Sequence, residues 1–394
     1  MKVLCVICED RWMYKSFVVG WQALGAEVEV FYYGKSISRS YFHPLANKEV
    51  AETNNRLLNR VEALSAAGGL DLIFFSILDD FISIKTLRKL QRFNIPLVNY
   101  HADMVALWYR SIKTAKYFSL FCCAQKYGMD FLQKTGARVL YLPMAANPYP
   151  ESAVSEREQF NGVTFLGAPI GYRPSVLAYL YYREIPLRIY GHHWDWCPRE
   201  YNPETARERY FSQSMLGLSD KMIHDLLNYL IPQLTFKPTQ FAYNQFQKIL
   251  GKYNERHFDV EEHYAYLPPA IIRGDYPDQD FVKLVQSSLI NLGFSHITGK
   301  EGSRYEMRQV RLRDFEIPLA GGFYLAQFSE ELSELYIEEE HVEFWRTREE
   351  LLKKVKYYLA YPESAKRIAD SGYQYALQKH TWVNRFQVIL DSIQ

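Results

Sequence analysis

The sequence predicts an α/β protein with two doubly wound parallel sheets. Three observations lead there. Apolar strands alternate with amphipathic helices over the first 150 residues, a proline-rich polar stretch interrupts them, and a second alternating series follows. Strand–helix–strand order needs crossover helices, and these make the strands parallel and cover both faces of the sheet. In the first series, Val3–Ile7 is apolar, Tyr14–Leu24 has helical spacing up to Gly25, and Val28–Tyr33 alternates with Glu27 and Glu29. Strands are expected at Leu70–Ser76, Leu97–Tyr100, Tyr117–Cys123 and Val139–Leu142, with helices at Glu49–Ala66 and Ile84–Phe93.

Pro143, Pro148 and Pro150 followed by the polar residues 151–159 read as a linker, because proline denies helix continuation and charge forbids burial. Beyond it, Val163–Leu166 and Leu187–Tyr190 are strands flanking a helix at Pro174–Tyr182, and further strands are expected near Ala270–Ile272, Leu289–Leu292 and Phe323–Ala326. The expected domains are 1–150, 160–378 and a terminal helix within 379–394 that packs back on the first. Residues 195–265 break the alternation and read as a helical insertion in the second domain. Thr347 and Glu350 form a capping-box pattern, and Thr381–Ile393 has the spacing of a closing helix.

Composition excludes several classes. A chain of 394 residues, 48% of them apolar, buries packed cores and is not disordered. With 46 basic against 45 acidic residues the net charge is +1, so no global field draws it to nucleic acid or anionic lipid. Cys5, Cys8, Cys122, Cys123 and Cys197 are odd in number and sit mostly in apolar runs, which implies a reducing, cytoplasmic compartment and no disulfide framework. No run reaches the ~18 apolar residues of a membrane span, and the chain opens on a strand in place of a signal peptide. The 31 Tyr and 24 Phe are read first as core and interface filler, with stacking on sugars or bases a second use.

In open α/β sheets ligands bind beyond the carboxyl ends of the strands, so residues just after each strand are the candidates. Cys8-Glu9-Asp10-Arg11-Trp12 has no glycine-rich fingerprint, which argues against a dinucleotide enzyme. His101 and Asp103 suit polarising a hydroxyl or orienting a sugar, and equally suit local turn bonds. Gly167 and Gly171 flank a loop leading through Arg173 into a helix, a pattern that suits an anion. Arg313 and Glu316 are an i, i+3 pair ahead of Gly321 and Gly322. Asp79-Asp80 is read as a helix-start cap, Cys5 and Cys8 as core, and Leu226–Leu234 as internal packing. The His192–His193, Asp195, His257, Glu261–His263 group fits no standard zinc spacing, so no metal site is expected.

The run Arg313-Asp314-Phe315-Glu316-Ile317-Pro318 with Gly321-Gly322-Phe323 resembles the Arg-x-Phe-Glu signature of the GT-B glycosyltransferases, in the branch similar to the CgeB spore-maturation-type, glycosyltransferase group 1-like proteins. The likeness continues through Glu349-Glu350-Leu351, Tyr361-Pro362-Glu363 and His380-Thr381-Trp382 with Arg385, and more weakly through Phe165-Leu166-Gly167 and Asn99-Tyr100-His101-Ala102-Asp103. It implies a GT-B fold, two Rossmann-like domains facing a cleft, and sugar transfer from a UDP- or GDP-linked donor to an acceptor hydroxyl in bacterial glycan biosynthesis, retaining and without metal or further cofactor. Glu316 would hold the ribose hydroxyls. Arg313 and Arg173 would meet the diphosphate, and the amides near Gly321 and Gly322, with Gly167, would approach the donor. His101 and Asp103 would contact donor sugar or acceptor, and glycan, lipid, metabolite and protein acceptors all stay open. One position departs from the pattern: Arg308 stands where many relatives carry a second glutamate, and Glu306 or Glu301 is the available substitute. That departure motivates two alternatives, a non-catalytic assembly or coat-type protein and a nucleotide-sugar epimerase.

Overall fold

The computed structural model describes residues 1–34, 47–78, 81–149, 159–192, 194, 267–298 and 306–393. Asp79-Asp80, Glu301, Cys197 and the expected insertion at 195–265 lie outside the described residues. The described residues fall into two compact units, one holding those within Met1–Asn147 and Lys379–Gln394 and the other those between 148 and 378.

In the first unit, strands β1 (Lys2–Ile7), β2 (Glu27–Tyr32), β3 (Leu72–Phe75), β4 (Leu97–His101), β5 (Leu120–Cys123) and β6 (Val139–Tyr141) form one sheet of order β2-β1-β3-β4-β5-β6. Every pairing is parallel. The central strands are buried along nearly their whole length because helices cover both their faces, whereas edge strand β2 keeps only partial burial. The first helix, α1 (residues 11–23), starts at Asp10, whose carboxylate accepts the Trp12 N–H, and it contains a π turn at Tyr14–Val18. Asn147 meets that widened turn, its Nδ2 donating to the carbonyls of Lys15 at 2.6 Å and Ser16 at 3.2 Å. Helices α2 (Asn47–Ala66), α3 (Ile84–Leu90), α4 (Met104–Leu107) and α5 (Met129–Gln133) complete the crossovers, α3 being capped by the Ser83 hydroxyl.

The second unit repeats the plan. Strands β7 (Phe160–Leu166), β8 (Leu187–Tyr190), β9 (Ser288–Gly293), then a small antiparallel hairpin of β10 (His296–Thr298) and β11 (Met307–Arg308), then β12 (Tyr324–Gln327) and β13 (Glu343–Trp345) follow in the chain. Its main sheet has order β13-β12-β9-β7-β8, all parallel. Helices α6 (Arg173–Tyr181), α7 (Phe281–Ser287), α8 (Arg313–Leu319), α9 (Glu330–Ser333), α10 (Arg348–Ala360) and α11 (Pro362–Lys379) surround it. Its core joins Val163, Phe165, Leu177, Ile189, Ile290, Leu292, Leu325 and Trp345 from facing elements. Thr347 caps α10 as its pattern predicts, accepting from Glu350 N–H at 3.1 Å. The strand expected near Ala270–Ile272 is instead a 3-10 turn at Pro269–Ile271 with an isolated bridge from Ile189 to Ile272; Pro268 and Pro269 lack the N–H groups that a ladder needs.

The last helix, α12 (Trp382–Ile393), belongs to the first unit and packs on α1. Trp382, Phe386 and Ile389 recur on one face and are buried, and Phe386 stacks on Trp21 at 4.0 Å between ring centroids. Arg385 ties the helix down from its inner face, donating to the carbonyls of Pro143 at 2.9 Å and Met144 at 3.2 Å. No helix among the described residues is long and apolar enough to cross a membrane.

Candidate functional site

In each unit the chain order along the sheet reverses once, between β1 and β3 and between β7 and β9. Helices leave such a pair of strands toward opposite faces, which opens a crevice beyond their carboxyl ends. The β7/β9 end of the second unit gathers most of the polar side chains singled out above.

Arg173 differs from its sequence expectation. It opens α6 but is only 5% exposed, and its guanidinium lies 5.8 Å from the Phe165 ring centroid and 5.7 Å from that of Phe294. One nitrogen donates to the Ala168 carbonyl at 3.0 Å, while its buried Nε has no partner among the described residues. Burial, with the neighbouring positive charge of Arg311, pulls its pKa down to about 9. Arg173 thus lies buried at the end of the β7–α6 loop, bonded to that loop's own Ala168 carbonyl.

Arg311 donates from its side chain to the His296 carbonyl at 2.6 Å and from its backbone to Asp314 Oδ2 at 2.6 Å. Asp314 is 1% exposed and also accepts from Tyr324 Oη at 2.6 Å. Burial pushes its carboxyl up to about 6, and the bonds from Tyr324 and Arg311 offset that only in part. The nearby charges of Arg311 and Arg173 also favour the ionised form of Asp314.

Beside them Glu306 forms a hub. Its side chain is 3% exposed, and it meets Tyr172 Oη at 2.5 Å, Arg308 at 2.8 Å and His296 Nδ1 at 3.3 Å. Burial raises its pKa, but these three donors outweigh it and hold the carboxyl at about 2. Arg308 adds a 2.6 Å bond to the Phe328 carbonyl. Arg308, where the resemblance leads one to expect an acid, is thus the ion-pair partner of Glu306.

Arg313 and Glu316 on the first turns of α8 stay more accessible, their side chains 36% and 18% exposed, and they pair with each other. Arg313 also donates to Tyr276 Oη at 2.6 Å and lies 4.7 Å over the Phe281 ring. Burial works against its charge, yet Glu316 and Tyr276 outweigh it and the Arg313 pKa is raised. Tyr149 and Phe281 at 5.6 Å, and Tyr190 and Tyr276 at 6.0 Å, form two ring pairs near it, Phe281 buried and the three tyrosines half-buried.

The glycines also differ from expectation. Gly321, at φ +76°, donates its N–H to the Pro318 carbonyl at 2.9 Å, and Gly322 donates to Ile317 at 3.1 Å. Together they close α8 as a Schellman motif, so neither amide is left for a donor. A Cβ on Gly322 would lie 2.3 Å from Val285 and 2.8 Å from Asn291, so glycine there lets the chain pass against the core. The Gly167 N–H extends the sheet to the Tyr190 carbonyl at 2.9 Å, and its carbonyl accepts from Trp194 Nε1 at 2.8 Å.

His101 and Asp103 follow β4 in the first unit. The His101 ring is 0% exposed, its Nδ1 accepts the Asp103 N–H at 3.3 Å, and its Nε2 has no hydrogen-bond partner among the described residues. Burial drives its pKa down to about 3, so the ring is neutral and lies beneath the surface it was expected to line. Asp103 is half-buried at the start of α4. Of the histidines weighed for zinc, only His192 is described, pairing with Asp275 at 2.7 Å. No cluster of three ligating side chains occurs among the described residues. Cys5, Cys8, Cys122 and Cys123 are buried and form no disulfide with one another, in accord with core roles.

Tyr172, Glu306, His296, Gln327 and Tyr276 had no strong sequence signal as members of one site. Only Glu306 was singled out, as a substitute acid.

Comparison with known structures decides the fold. HepE from Anabaena, solved in complex with UDP and glucose, superposes over 100% of this chain and 99% of its own with a TM-score of 0.54 at 13% identity. Sucrose-phosphate synthase from Thermosynechococcus elongatus gives 0.55 over 100% and 98% at 11% identity. A glycosyltransferase from Rickettsia africae gives 0.53 over 100% and 97% at 9% identity. The chain has the GT-B fold. Residues 244–391 match the family described as glycosyl transferase-like, which bears out the resemblance to GT-B glycosyltransferases drawn from the sequence. That match takes in Arg313, Glu316, Glu306, α10, α11 and most of α12. No curated protein matches the chain in sequence.

Proposed function

We propose that this GT-B chain is a glycosyltransferase that moves a sugar from a UDP- or GDP-linked donor to an acceptor hydroxyl, with retention at the anomeric carbon. The observation that carries the reading is that Arg173 and Arg311 lie close enough for their charges to act on each other and on the buried Asp314, near the carboxyl ends of β7 and β9. A diphosphate bound there would set its negative charge beside both guanidinium groups. As the glycosidic bond to the donor breaks, charge grows on the departing diphosphate, and preorganised guanidinium groups stabilise that change more than the ground state. The same groups do the work that a divalent cation does elsewhere, which supports a metal-independent transfer.

Glu316 offers a carboxylate with two acceptor oxygens to vicinal ribose hydroxyls, and Arg313 holds it in place until they arrive. HepE, whose fold this chain shares, was solved with UDP and with UDP-glucose. Asp103 with His101 remains the proposed contact for donor sugar or acceptor, the buried, neutral His101 acting through its position and not as a base. Glycan, lipid, metabolite and protein acceptors fit equally, and the buried free cysteines suit a reducing, cytoplasmic setting.

Calorimetric titration with UDP and GDP tests the reading. The parent is expected to bind one of them, and Glu316→Ala to bind it about ten- to a hundredfold more weakly, as loss of a charged hydrogen-bond partner costs about 1.5–3 kcal/mol. Equal affinities in parent and variant refute the assignment of Glu316. Turnover with the matching nucleotide sugars, followed by NMR of the first product anomer, separates retention from inversion.

A further inference from the structure

The β7–α6 loop ends in Tyr172-Arg173, and its placement is decided by side chains from three other segments. We infer that Glu306 and Tyr172 are positioning residues for diphosphate recognition, locking the loop that carries Arg173 so that their loss is felt at the diphosphate and not at the nucleoside. The inference rests on the nucleotide-sugar reading above and goes beyond it, because neither side chain is assigned a contact with donor or acceptor.

Four observations support it. First, Tyr172 immediately precedes Arg173, and its hydroxyl donates to Glu306 Oε1 at 2.5 Å while accepting from Gln327 Nε2. Burial raises the phenol pKa, with Glu306 adding to it, so the hydroxyl keeps the proton that this bond needs. Second, Gln327 is itself fixed, its Oε1 accepting the backbone N–H groups of Ser295 at 3.2 Å and His296 at 3.1 Å. Third, the His296 ring lies 4.1 Å from the Tyr172 ring, centroid to centroid. An ionised carboxylate only accepts, so the Glu306 contact assigns the imidazole hydrogen to Nδ1 and turns the Cδ2–Nε2 edge toward Gly171.

Fourth, Gly171 has φ +60°, and a Cβ there would lie 2.7 Å from both Cδ2 and Nε2 of His296. The loop therefore rests directly on the imidazole, in a backbone conformation that glycine adopts freely. Three anchors hold the loop: a phenol bond, a tilted ring contact and a glycine seat. All lead back to Glu306, whose third partner, Arg308, carries the restraint into β11. The loop's polar side chain at this site is Arg173, which bonds to the loop's own Ala168 carbonyl. Loosening the hub thus moves a guanidinium group while leaving Arg313, Glu316 and Tyr276 paired as before.

The test compares UDP with UMP, and GDP with GMP, on the full chain by calorimetry, using the parent, Glu306→Gln and Tyr172→Phe. Tyr172→Phe keeps the ring contact and removes one hydroxyl, so it reports even where Glu306→Gln fails to fold. The expected result is a diphosphate affinity lowered about tenfold with monophosphate affinity and melting temperature held, so that the diphosphate-to-monophosphate preference collapses. Equal losses for both ligands, or parent-like binding in both variants, overturn the inference while leaving the donor reading standing. A parent that binds none of the four nucleotides removes both. A Glu306→Asp variant that restores more of the preference than Glu306→Gln supports a charged hub.

Discussion

Burial decides what His101 does. Its ring is fully enclosed at the end of β4, and desolvation, with Arg110 adding its charge, depresses the pKa to about 3 against bonds to backbone that favour the charged form. The folded value lies below the ordinary 6.5 of the unfolded chain, so the unfolded state binds the proton first on acidification. This stabilisation is fully present above pH 6.5 and is lost as pH falls toward 3, at about 1.4 kcal/mol per unit of pH. His101→Gln is expected to flatten the acid side of the stability curve, read as urea midpoints against pH, and curves that stay parallel to the parent would show the ring to be hydrated. At this scale the sequence was legible where partners are close in the chain. Arg313 and Glu316 are three residues apart, and their pairing follows from helical spacing. Tyr172 and Glu306 are 134 positions apart and Arg313 and Tyr276 are 37 apart, so no local pattern announces them.

Among the elements, the packing of α12 against α1 turns on Gly20. Alanine favours a helix interior over glycine by about 1 kcal/mol, yet a Cβ at position 20 would lie 2.7 Å from Trp382 Cβ and 2.8 Å from Phe386 Cε2. Neither is the free end of a flexible chain, and overpacking of this kind costs about 1–3 kcal/mol. The clash therefore wins, and Gly20→Ala is expected to lower the melting temperature of the first unit by several degrees, at roughly 2–4 °C per kcal/mol. An unchanged or higher melting temperature would mean that α1 and α12 do not meet as described. The strands and helices read most easily from sequence were those with a full apolar run or a capped amphipathic face, such as β1, β4 and α10. The β10–β11 hairpin escaped notice because His296–Thr298 and Met307–Arg308 are short and polar, held by pairing and by side-chain bonds instead of a buried stripe. Near Ala270–Ile272 the apolar residues were visible, but their neighbouring prolines decided the backbone.

For the molecule as a whole, the first unit is closed by chain from its far end. Residues 1–147 supply the sheet, but Trp382, Phe386 and Ile389 of α12 fill the layer over α1. Phe17 meets Trp382 at 4.8 Å, Tyr100 meets it at 5.3 Å, and Phe74 meets Phe386 at 5.5 Å, so this helix reaches strands β3 and β4 as well as α1. Truncating one buried Phe or Trp costs about 3–5 kcal/mol, and a whole domain is stable by about 5–15 kcal/mol. Removing residues 379–394 withdraws both aromatic rings, Ile389 and the Arg385 bonds to Pro143 and Met144 at once. That exceeds what the first unit can lose and stay folded. The second unit keeps its own core, in which Val163, Ile290, Leu325 and Val355 draw nothing from α12. Scanning calorimetry of the truncated chain is therefore expected to lose the transition of the first unit and retain that of the second, with limited proteolysis cutting between residues 1 and 147 and sparing the strands of the second sheet. Survival of both transitions would show that the first unit folds without its C-terminal helix, and that the aromatic layer between α1 and α12 contributes far less than its burial implies.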